Sequence, residues 1–417
     1  MPMGKTDRQP MPRASSHAVA IQQAGCRNAP NANAKYRIDC IVGTRPNFVK
    51  IAPIMRALKR RSQLSTRLIH TGQHYDVAMS GVFFEELAIP QPDMNLEIGP
   101  GTLTEQSAQI MLRLESAFSD RRPDLVVVVG DVNSTAAATY VASQLRIPIA
   151  HVEAGLRSFD LEMPEEINRL LTDRLAALLF TTEYAATTNL IKEGIANDRI
   201  KFVGNVMIDT LYHCLGRAVP ADQSFRTMAA AENFVEATAR GFGLITLHRP
   251  SNVDNPARLA QHLHAAREIA QNVPLVFPLH PRTRSRIIQA GLDDLLVHEG
   301  ILTTEPLGYL SMLGLMREAK FVITDSGGVQ EETTALGVPC LTVRASTERP
   351  VTVTCGTNTL IPAASAALTA AVATILRTGG KRGDIPPLWD GCAAERIAEE
   401  IESFLSGNAP ASVACAA

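Results

Sequence analysis

Short apolar runs alternate with amphipathic, helix-like segments along most of the chain. In the first half, beginning near Tyr36, the apolar runs are RIDCIV, DLVVVVGD, IPIAHVEAG, LLFTT and IKFVGN. After a polar stretch around residues 217–240 the pattern starts again with FGLITLH, PLVFPLH, KFVITD and VPCLTV, each followed by a helical segment. Unbroken apolar runs between helices are typical of parallel strands that are covered on both faces. The pattern therefore predicts an α/β protein with two parallel sheets.

The repetition of this pattern, together with the chain length, predicts two Rossmann-like domains. A chain of 417 residues is too long for one hydrophobic core. We expect an N-terminal domain over residues 37–208 and a C-terminal domain over residues 209–390. Residues 1–36 are polar and rich in Pro, Asn and Ala, so we expect a disordered extension there. Residues 407–417 are expected to form a flexible tail.

Charge and hydropathy narrow the classes of partner. The net charge is −2, whereas a nucleic-acid-binding domain usually carries a basic patch, so no nucleic-acid partner is expected. No stretch is long and apolar enough to cross a membrane, so no membrane partner is expected either. The first residues lack the apolar run of a signal peptide and the seven cysteines are scattered, which favours a cytoplasmic protein.

Candidate chemistry falls where the apolar runs end, which is where ligands bind in open α/β sheets. Because such residues follow apolar runs in both halves of the chain, we expect one site in the cleft between the two domains. The segment GTRPNFVK follows the first apolar run, RIDCIV. It lacks the GxGxxG of a dinucleotide fingerprint, so a tightly bound NAD is not expected. Arg45 and Lys50 in this segment suit an anionic leaving group, although a surface arginine and a solvated helix lysine fit the same pattern.

The segment DSGGVQEE follows a run of the second half and suits a diphosphate. Ser326, Gly327 and Gly328 at a strand-to-helix junction let the backbone approach phosphate oxygens, and the helix start supplies N–H groups with partial positive charge. Ser326 can also act as the helix N-cap, and the two roles are compatible. Glu332 on the same helix is suited to accept hydrogen bonds from ribose hydroxyls, but a lone glutamate there is more often helix surface.

In the first half, three carboxylates stand at the ends of apolar runs or at a helix start. They are Asp131 in GDVNST, Glu153 in HVEAGLRS and Glu165 in MPEEINR. Any of them can be a helix cap or a member of an ion-pair network. Several carboxylates around one cleft are also what acid–base chemistry at a carbon acid requires.

Two histidines, His248 and His280, end equivalent runs of the second half. A single histidine is more often a structural group, but two at equivalent strand ends, one beside Arg249, favour phosphate binding. No HExxH or CxxC pattern is present, so no metal site is expected. Arginine, lysine, histidine and helix amides then have to neutralise a diphosphate.

Together these segments resemble the non-hydrolysing UDP-N-acetylglucosamine 2-epimerase family, from about Arg37 to about Leu405. The motifs that carry the resemblance are GTRPNFVKIAPI, TGQHYD, GDVNST, HVEAGLRS, MPEEINR, GNVMIDTL, TLHRPSNVD, EPLGYL, DSGGVQEETTALGVPCLT and TERP with GTNTL. The resemblance implies the two-domain architecture of GT-B glycosyltransferases, with a C-terminal helix at about residues 391–406 that crosses back to the first domain. It also implies a homodimer and a UDP-sugar substrate, and no cofactor is expected.

The chemistry that the resemblance implies uses most of these residues. In this family a base removes the C2 proton while UDP leaves C1, and protonation of the opposite face of the 2-acetamidoglucal with return of UDP gives the manno epimer. The resemblance places the catalytic groups at Asp131, Glu153, Glu165 and His248. It places the UDP contacts at Arg45, Arg249, His280, Ser326, Gly327, Gly328 and Glu332, with Lys50 assisting. A second UDP-N-acetylglucosamine activates bacterial members, and the matching segment here offers Gln73 and His74 as candidate allosteric residues.

Two other activities fit the same fold and diphosphate segment. A GT-B glycosyltransferase needs an acceptor site and usually one base, so the three carboxylates in their family motifs favour the epimerase. A hydrolysing epimerase, which releases UDP and free N-acetylmannosamine, needs water to reach the glycal. Which carboxylate is the base, and whether the sugar carries a modified C3, stay open at this level. The expected product serves as a precursor of surface polysaccharide.

Overall fold

The computed structural model describes residues 34–72, 85–228, 230–361 and 365–407, without the side chains of Arg45 and Ser365. These residues form two parallel sheets with helices between successive strands. The predicted α/β class with two Rossmann-like domains is therefore confirmed. Residues 1–33 and 408–417 of the predicted extension and tail lie outside the described residues, and the domain boundaries stay predictions.

The first sheet has seven parallel strands in the order β3-β2-β1-β4-β5-β6-β7. These strands are β1 Tyr36–Val42, β2 Leu64–His70, β3 Met94–Asn95, β4 Leu125–Val129, β5 Ile149–Val152, β6 Leu178–Thr181 and β7 Ile200–Phe202. The order reverses between β1 and β4, so the loops after these two strands diverge and leave a crevice at the carboxyl edge.

The second sheet repeats this topology with six parallel strands in the order β10-β9-β8-β11-β12-β13. Its strands are β8 Gly243–Thr246, β9 Leu275–Pro278, β10 Ile301–Thr304, β11 Phe321–Thr324, β12 Cys340–Thr342 and β13 Asn358–Leu360. Its order reverses between β8 and β11, which makes a second crevice at the carboxyl edge of that sheet.

Helices follow most strands and cover both faces of each sheet. In the first half they are α1 Arg45–Lys59, α2 Leu103–Asp120, α3 Asn133–Gln144, α4 Pro164–Leu175, α5 Tyr184–Lys192 and α6 Val206–Leu215. The later helices are α7 Ala221–Thr227, α8 Glu232–Thr238, α9 Pro250–Val253, α10 Pro256–Ala270, α11 Pro281–Ala290, α12 Tyr309–Glu318, α13 Gly327–Leu336, α14 Pro350–Thr354, α15 Ser365–Thr378 and α16 Ala393–Ser406. Short 3₁₀ helices occur at Asn197–Arg199 and Asp293–Leu295.

The buried apolar side chains form three clusters. One lies on one face of the first sheet and includes Val126 and Phe118, and another lies on one face of the second sheet and includes Phe277 and Ile323. The third and largest runs between the two sheets and contains residues of both, such as Val127 of β4 and Val322 of β11. Because this shared cluster is continuous, the two halves pack directly on each other.

The C-terminal helix α16 packs against α1 and α6 of the first half. Asp209 of α6 accepts hydrogen bonds from the backbone N–H groups of Ala393 and Ala394 at 3.1 and 2.7 Å, so it satisfies amides at the start of α16. The preceding segment is anchored by Trp389, whose indole N–H donates to the Thr182 carbonyl at 2.9 Å. These contacts return the chain end to the first half.

None of the helices within the described ranges has the combination of length and apolar composition that crossing a membrane requires.

Candidate active site

Glu153 lies directly after β5 and is buried between two cations. Lys50 Nζ contacts its Oε2 atom, and Arg349 Nη2 donates to its Oε1 atom at 2.7 Å. Its φ of 73° lies in the left-handed region, which costs a non-glycine residue about 1–3 kcal/mol. Burial opposes the charged form, but Lys50 and Arg349 outweigh it and hold the pKa of Glu153 below its usual range. Glu153 is therefore an ionised carboxylate on a strained backbone.

Gly130, directly after β4, makes room for this ion pair. Its φ is 68°, and a Cβ atom at this position would lie 2.9 Å from Lys50 Nζ and 3.2 Å from Glu153 Oε2. The backbone conformation therefore favours glycine here, and a side chain would also press on the ends of Lys50 and Glu153. The absence of a side chain lets the ion pair form immediately beside Asp131.

Asp131 and Glu165 face one cavity of about 290 Å³. Asp131 forms an ion pair with Arg169, a buried residue of α4 that also contacts Glu166 at 2.6 Å. Glu165 lies in the first turn of α4. The other residues around the cavity are Thr44, Leu103, Gln106, Val132, Asn133, Pro164 and Asn168. Two carboxylates predicted from separate segments therefore face the same space.

A buried polar network supports the ends of β4 and β5. His151 Nδ1 lies 2.6 Å from Asp173 Oδ1, and His151 Nε2 lies 2.9 Å from the Gly130 carbonyl oxygen. Asp173 is also paired with Arg157 at 2.7 Å. Burial opposes charge on Asp173, but His151 and Arg157 hold its pKa below the usual range. Because this network ties the two strand ends together, it fixes the backbone that carries the carboxylates.

In the second half, Asp325 after β11 orients the residues that follow β8. Its carboxylate accepts from the backbone N–H groups of His248 and Arg249 at 3.1 and 2.9 Å, and from Asn252 Nδ2 at 3.1 Å. It also lies 2.9 Å from His248 Nδ1. Burial opposes charge on Asp325, but its bonds to His248, Arg249 and Asn252 hold its pKa below the usual range. With Nδ1 occupied by Asp325, Nε2 is the nitrogen of His248 that can meet a ligand.

The DSGG segment lies next to these histidines at the same sheet edge. Ser326 is at the N-cap position of α13 with an extended backbone, and its N–H donates to Thr324 Oγ1 at 3.0 Å. His280 is the N-cap of α11, and its ring centre lies 5.5 Å from that of His248. The first amides of α13, at Gly327 and Gly328, are thus available to an anion at this edge.

Glu332 is buried, which contradicts the alternative that it lies on the helix surface. Its Oε1 atom accepts a hydrogen bond from the Tyr309 hydroxyl at 2.9 Å. Burial raises the pKa of Glu332 to about 7, although the Tyr309 hydrogen bond opposes the shift. The neighbouring carboxylate Glu331 is bonded to Asn205 at 2.9 Å and contacts Arg349 at 2.8 Å.

The structure brings most of the predicted residues into two groups. The group on the first sheet consists of Lys50, Asp131, Glu153 and Glu165. The group on the second sheet consists of His248, Arg249, His280, Ser326, Gly327, Gly328 and Glu332. The ion pair between Arg349 and Glu153 joins the two groups.

Three predicted residues are not placed in this way. Arg45 begins α1, but its side chain is not described, and Gln73 and His74 lie outside the described residues. The candidate allosteric contact therefore stays a prediction. Among the residues that the structure describes, no group of three or more His, Cys, Asp or Glu side chains could hold a metal ion.

Two residues with direct contacts to the site were not singled out from the sequence. Arg349 pairs with Glu153 although nearly two hundred residues separate them, and Glu331 pairs with Arg349. The available signal for Arg349 was its place in TERP, one of the motifs of the resemblance. For Glu331 it was the place beside Glu332 in the doubled glutamate of DSGGVQEE.

Comparison with known proteins identifies the family. A family model described as UDP-N-acetylglucosamine 2-epimerase matches residues 56–402. The UDP-N-acetylglucosamine 2-epimerase of Methanocaldococcus jannaschii is 42% identical over 364 residues, which cover 87% of this chain and 97% of that protein. The UDP-2,3-diacetamido-2,3-dideoxy-D-glucuronate 2-epimerase of Pseudomonas aeruginosa is 41% identical over 369 residues, which cover 88% and 99%.

Solved structures agree with this match. The Methanocaldococcus jannaschii UDP-GlcNAc 2-epimerase in complex with UDP-GlcNAc and UDP has a TM-score of 0.77 at 41% identity, covering 88% of this chain and 99% of that one. The UDP-GlcNAc 2-epimerase from Neisseria meningitidis bound to UDP-GlcNAc has a TM-score of 0.77 at 29% identity, covering 89% and 100%. The fold, the motif-bearing strand ends and these matches together show that the chain belongs to the UDP-N-acetylglucosamine 2-epimerase family.

Proposed function

We propose that this protein epimerises C2 of UDP-N-acetylglucosamine to give UDP-N-acetylmannosamine without hydrolysis. The observation that carries the proposal is the ionised Glu153, held between Lys50 and Arg349. It lies beside the loop that presents Asp131 to a cavity shared with Glu165. Relatives at 41–42% identity are named as 2-epimerases of UDP-N-acetylglucosamine and of a UDP-diacetamido sugar, which supports the reaction class.

The reaction is an elimination followed by an addition. A carboxylate takes the C2 proton, the C2–H electron pair forms the C1=C2 double bond, and the C1–O bond breaks so that UDP leaves with the electron pair of the C1–O bond. The resulting 2-acetamidoglucal is protonated at C2 from the opposite face, and a UDP oxygen adds to C1. This sequence needs proton-transfer groups on both faces of the ring and a site that retains UDP.

Each group of residues fits one of these needs. Glu153 is ionised and can therefore accept a proton, so we assign it the removal of the C2 proton. The two cations that keep it ionised also lower its basicity. Asp131 and Glu165 face the cavity and are the candidates for proton delivery from the other face.

We assign the retention of UDP to residues at the carboxyl edge of the second sheet. Arg249 and His280, with the amides of the segment from Ser326 to Gly328, are suited to the diphosphate. His248 lies beside them, and we keep it among the proposed catalytic groups. Glu332 is suited to accept hydrogen bonds from the ribose hydroxyls. From the first half of the chain, we propose that Arg45 contacts UDP and that Lys50 assists. We further propose the domain boundaries predicted from the sequence, a homodimer, a cytoplasmic location and a role in supplying precursors for surface polysaccharide.

The test is to incubate the full-length protein with UDP-N-acetylglucosamine in heavy water and follow the products by NMR. Deuterium should appear at C2 of UDP-N-acetylmannosamine, with traces of free UDP and 2-acetamidoglucal after long incubation. Free N-acetylmannosamine as the main product would instead support a hydrolysing enzyme. Transfer of the sugar to an added acceptor without epimerisation would support a glycosyltransferase.

Amide variants test the assignment of the carboxylates. Asp131→Asn, Glu153→Gln and Glu165→Gln keep shape but lose proton transfer, so each should lower turnover at least about 100-fold. Glu400→Gln is the matched control, because Glu400 forms only a partly exposed ion pair with Lys201 at 3.1 Å. Near-normal turnover in all three variants would show that these carboxylates do not carry the chemistry.

A further inference from the structure

Arg349 is a buried cation that three carboxylates surround. Its Nη2 atom donates to Glu153 Oε1 at 2.7 Å, its Nη1 atom to Glu348 Oε1 at 2.7 Å, and its Nε atom lies 2.8 Å from Glu331 Oε1. Glu153 belongs to the first sheet, whereas Glu331 and Glu348 belong to the second half. Arg349 therefore connects the two halves at the carboxylate to which we assign proton removal.

The segment that carries Arg349 is locked by its own hydrogen bonds. The Arg349 N–H donates to Thr347 Oγ1 at 3.1 Å, and the Arg349 carbonyl accepts from Thr352 Oγ1 at 2.8 Å. Thr347 in turn donates to Gln330 Oε1 on α13 at 2.8 Å. These hydrogen bonds fix the backbone from which the Arg349 side chain extends.

Arg349 and Lys50 divide the two oxygens of Glu153 between them. Lys50 contacts Oε2 and Arg349 contacts Oε1, so the carboxylate cannot rotate without losing a partner. A buried carboxylate that loses one partner of such a pair becomes much harder to ionise. Both the direction and the charge of Glu153 therefore depend on Arg349.

We propose that Arg349 is the positioning residue for proton transfer, holding Glu153 ionised and correctly oriented from the opposite half of the molecule. This role rests on the proposed function, since it acts through Glu153. Arg349 is also close enough to the diphosphate segment for a second role, a direct contact to the nucleotide, and the two roles have to be separated. A Cβ atom on Gly327 would lie 2.5 Å from Arg349 Nη1, so the guanidinium packs against the diphosphate segment.

The pH dependence of turnover separates the two roles. Burial, which opposes charge, is outweighed by Lys50 and Arg349, and the pKa of Glu153 is held low. Removing Arg349 should raise that pKa, so the acidic limb of the kcat/KM profile should move to higher pH. The other charged or titratable groups around the pair are Asp131, Glu183, Arg249, Glu331, Arg344 and Glu348. Burial raises the pKa of Glu183 to about 8, so this group titrates within the profile.

The experiment compares full-length Arg349→Met and Arg349→Lys with the control Arg344→Met. Arg344 Nη2 lies 2.8 Å from Glu348 Oε2, and Glu348 also pairs with Arg349. R344M therefore alters the same cluster but removes neither Lys50 nor Arg349, the two cations paired with Glu153. For each protein we would measure C2 deuterium incorporation, the pH profile of kcat/KM, and UDP affinity by calorimetry. A positioning role predicts that R349M lowers kcat at least about 100-fold and shifts the acidic limb upward, while R349K recovers part of both. The UDP affinity should change less than threefold, and R344M should leave the limb in place.

Three results would overturn the proposal. They are an unmoved acidic limb in R349M, an equal loss of kcat in R344M, or a large loss of UDP affinity at unchanged kcat. If R349M fails to fold, the pH profile of R349K tests the proposal instead. Lysine keeps the positive charge but lacks the planar set of donors with which arginine binds several carboxylates. The wild-type protein tests the proposed function separately: if it incorporates no deuterium at C2, the function fails whatever the variants do.

Discussion

Replacement of Gly130 by alanine should have two separable effects. Backbone strain should lower the stability of the protein, and displacement of Lys50 and Glu153 should lower turnover. Gly130 has φ of 68°, and an alanine held there costs about 1–2 kcal/mol. Its new methyl group would lie 2.9 Å from Lys50 Nζ and 3.2 Å from Glu153 Oε2, closer than such contacts normally come. The ammonium and the carboxylate must then move by several tenths of an ångström.

The expected loss of turnover follows from that displacement. A misplacement of about 1 Å costs roughly a hundredfold in rate, so half of it should cost about tenfold, or about 1.4 kcal/mol of barrier. Gly194→Ala is the matched control, since Gly194 has φ of 78° with no atom within 4 Å of its Cβ position. Both variants should lose about 1–2 kcal/mol of stability, but only Gly130→Ala should lose turnover.

Two measurements decide this prediction. Urea unfolding can be followed through the fluorescence of Trp389, the single tryptophan, which is buried. Turnover is measured as deuterium incorporation at C2 in heavy water. If Gly130→Ala turns over as fast as Gly194→Ala, the positions of Lys50 and Glu153 beside Gly130 do not limit the rate, and the reasoning from this contact is wrong.

Two further predictions concern metal and pH. Treatment with EDTA should leave turnover unchanged, because arginine, lysine, histidine and helix amides supply the positive charge; a loss that magnesium restores would contradict this. Burial raises the pKa of Glu332 to about 7, and Tyr309 and Glu331 are the titratable groups beside it. If ribose hydroxyls donate to the ionised form, UDP should bind more tightly as pH rises through about 7, with release of a proton. Calorimetry on Glu332→Gln should show a flatter dependence, and equal slopes in both proteins would refute the assignment.

The sequence by itself determined the elements and the local chemistry at their ends. The run LVVVV is strand β4 and the run FVIT is strand β11, because short β-branched apolar runs between helices are typical of parallel strands that are covered on both faces. Gly327 likewise follows from a local need, namely a backbone that can come close to a ligand. The candidate carboxylates, histidines and diphosphate segment were placed at strand ends for the same reason, since these features depend only on residues near one another in the chain.

Only the tertiary structure decided which of these side chains touch. Glu153 and Arg349 are 196 residues apart, and Asp325 and His248 are 77 apart, so neither contact leaves a periodic signal in the sequence. Each depends on how strands of one sheet stand next to one another, or on how the two sheets meet across their shared core. Glu332 shows the same limit, because its burial is produced by Tyr309 and the packing around α13, not by its position on the helix. The local sequence pattern determines where a charged residue lies on its strand or helix. The packing of distant segments determines which residue it contacts and whether it is ionised.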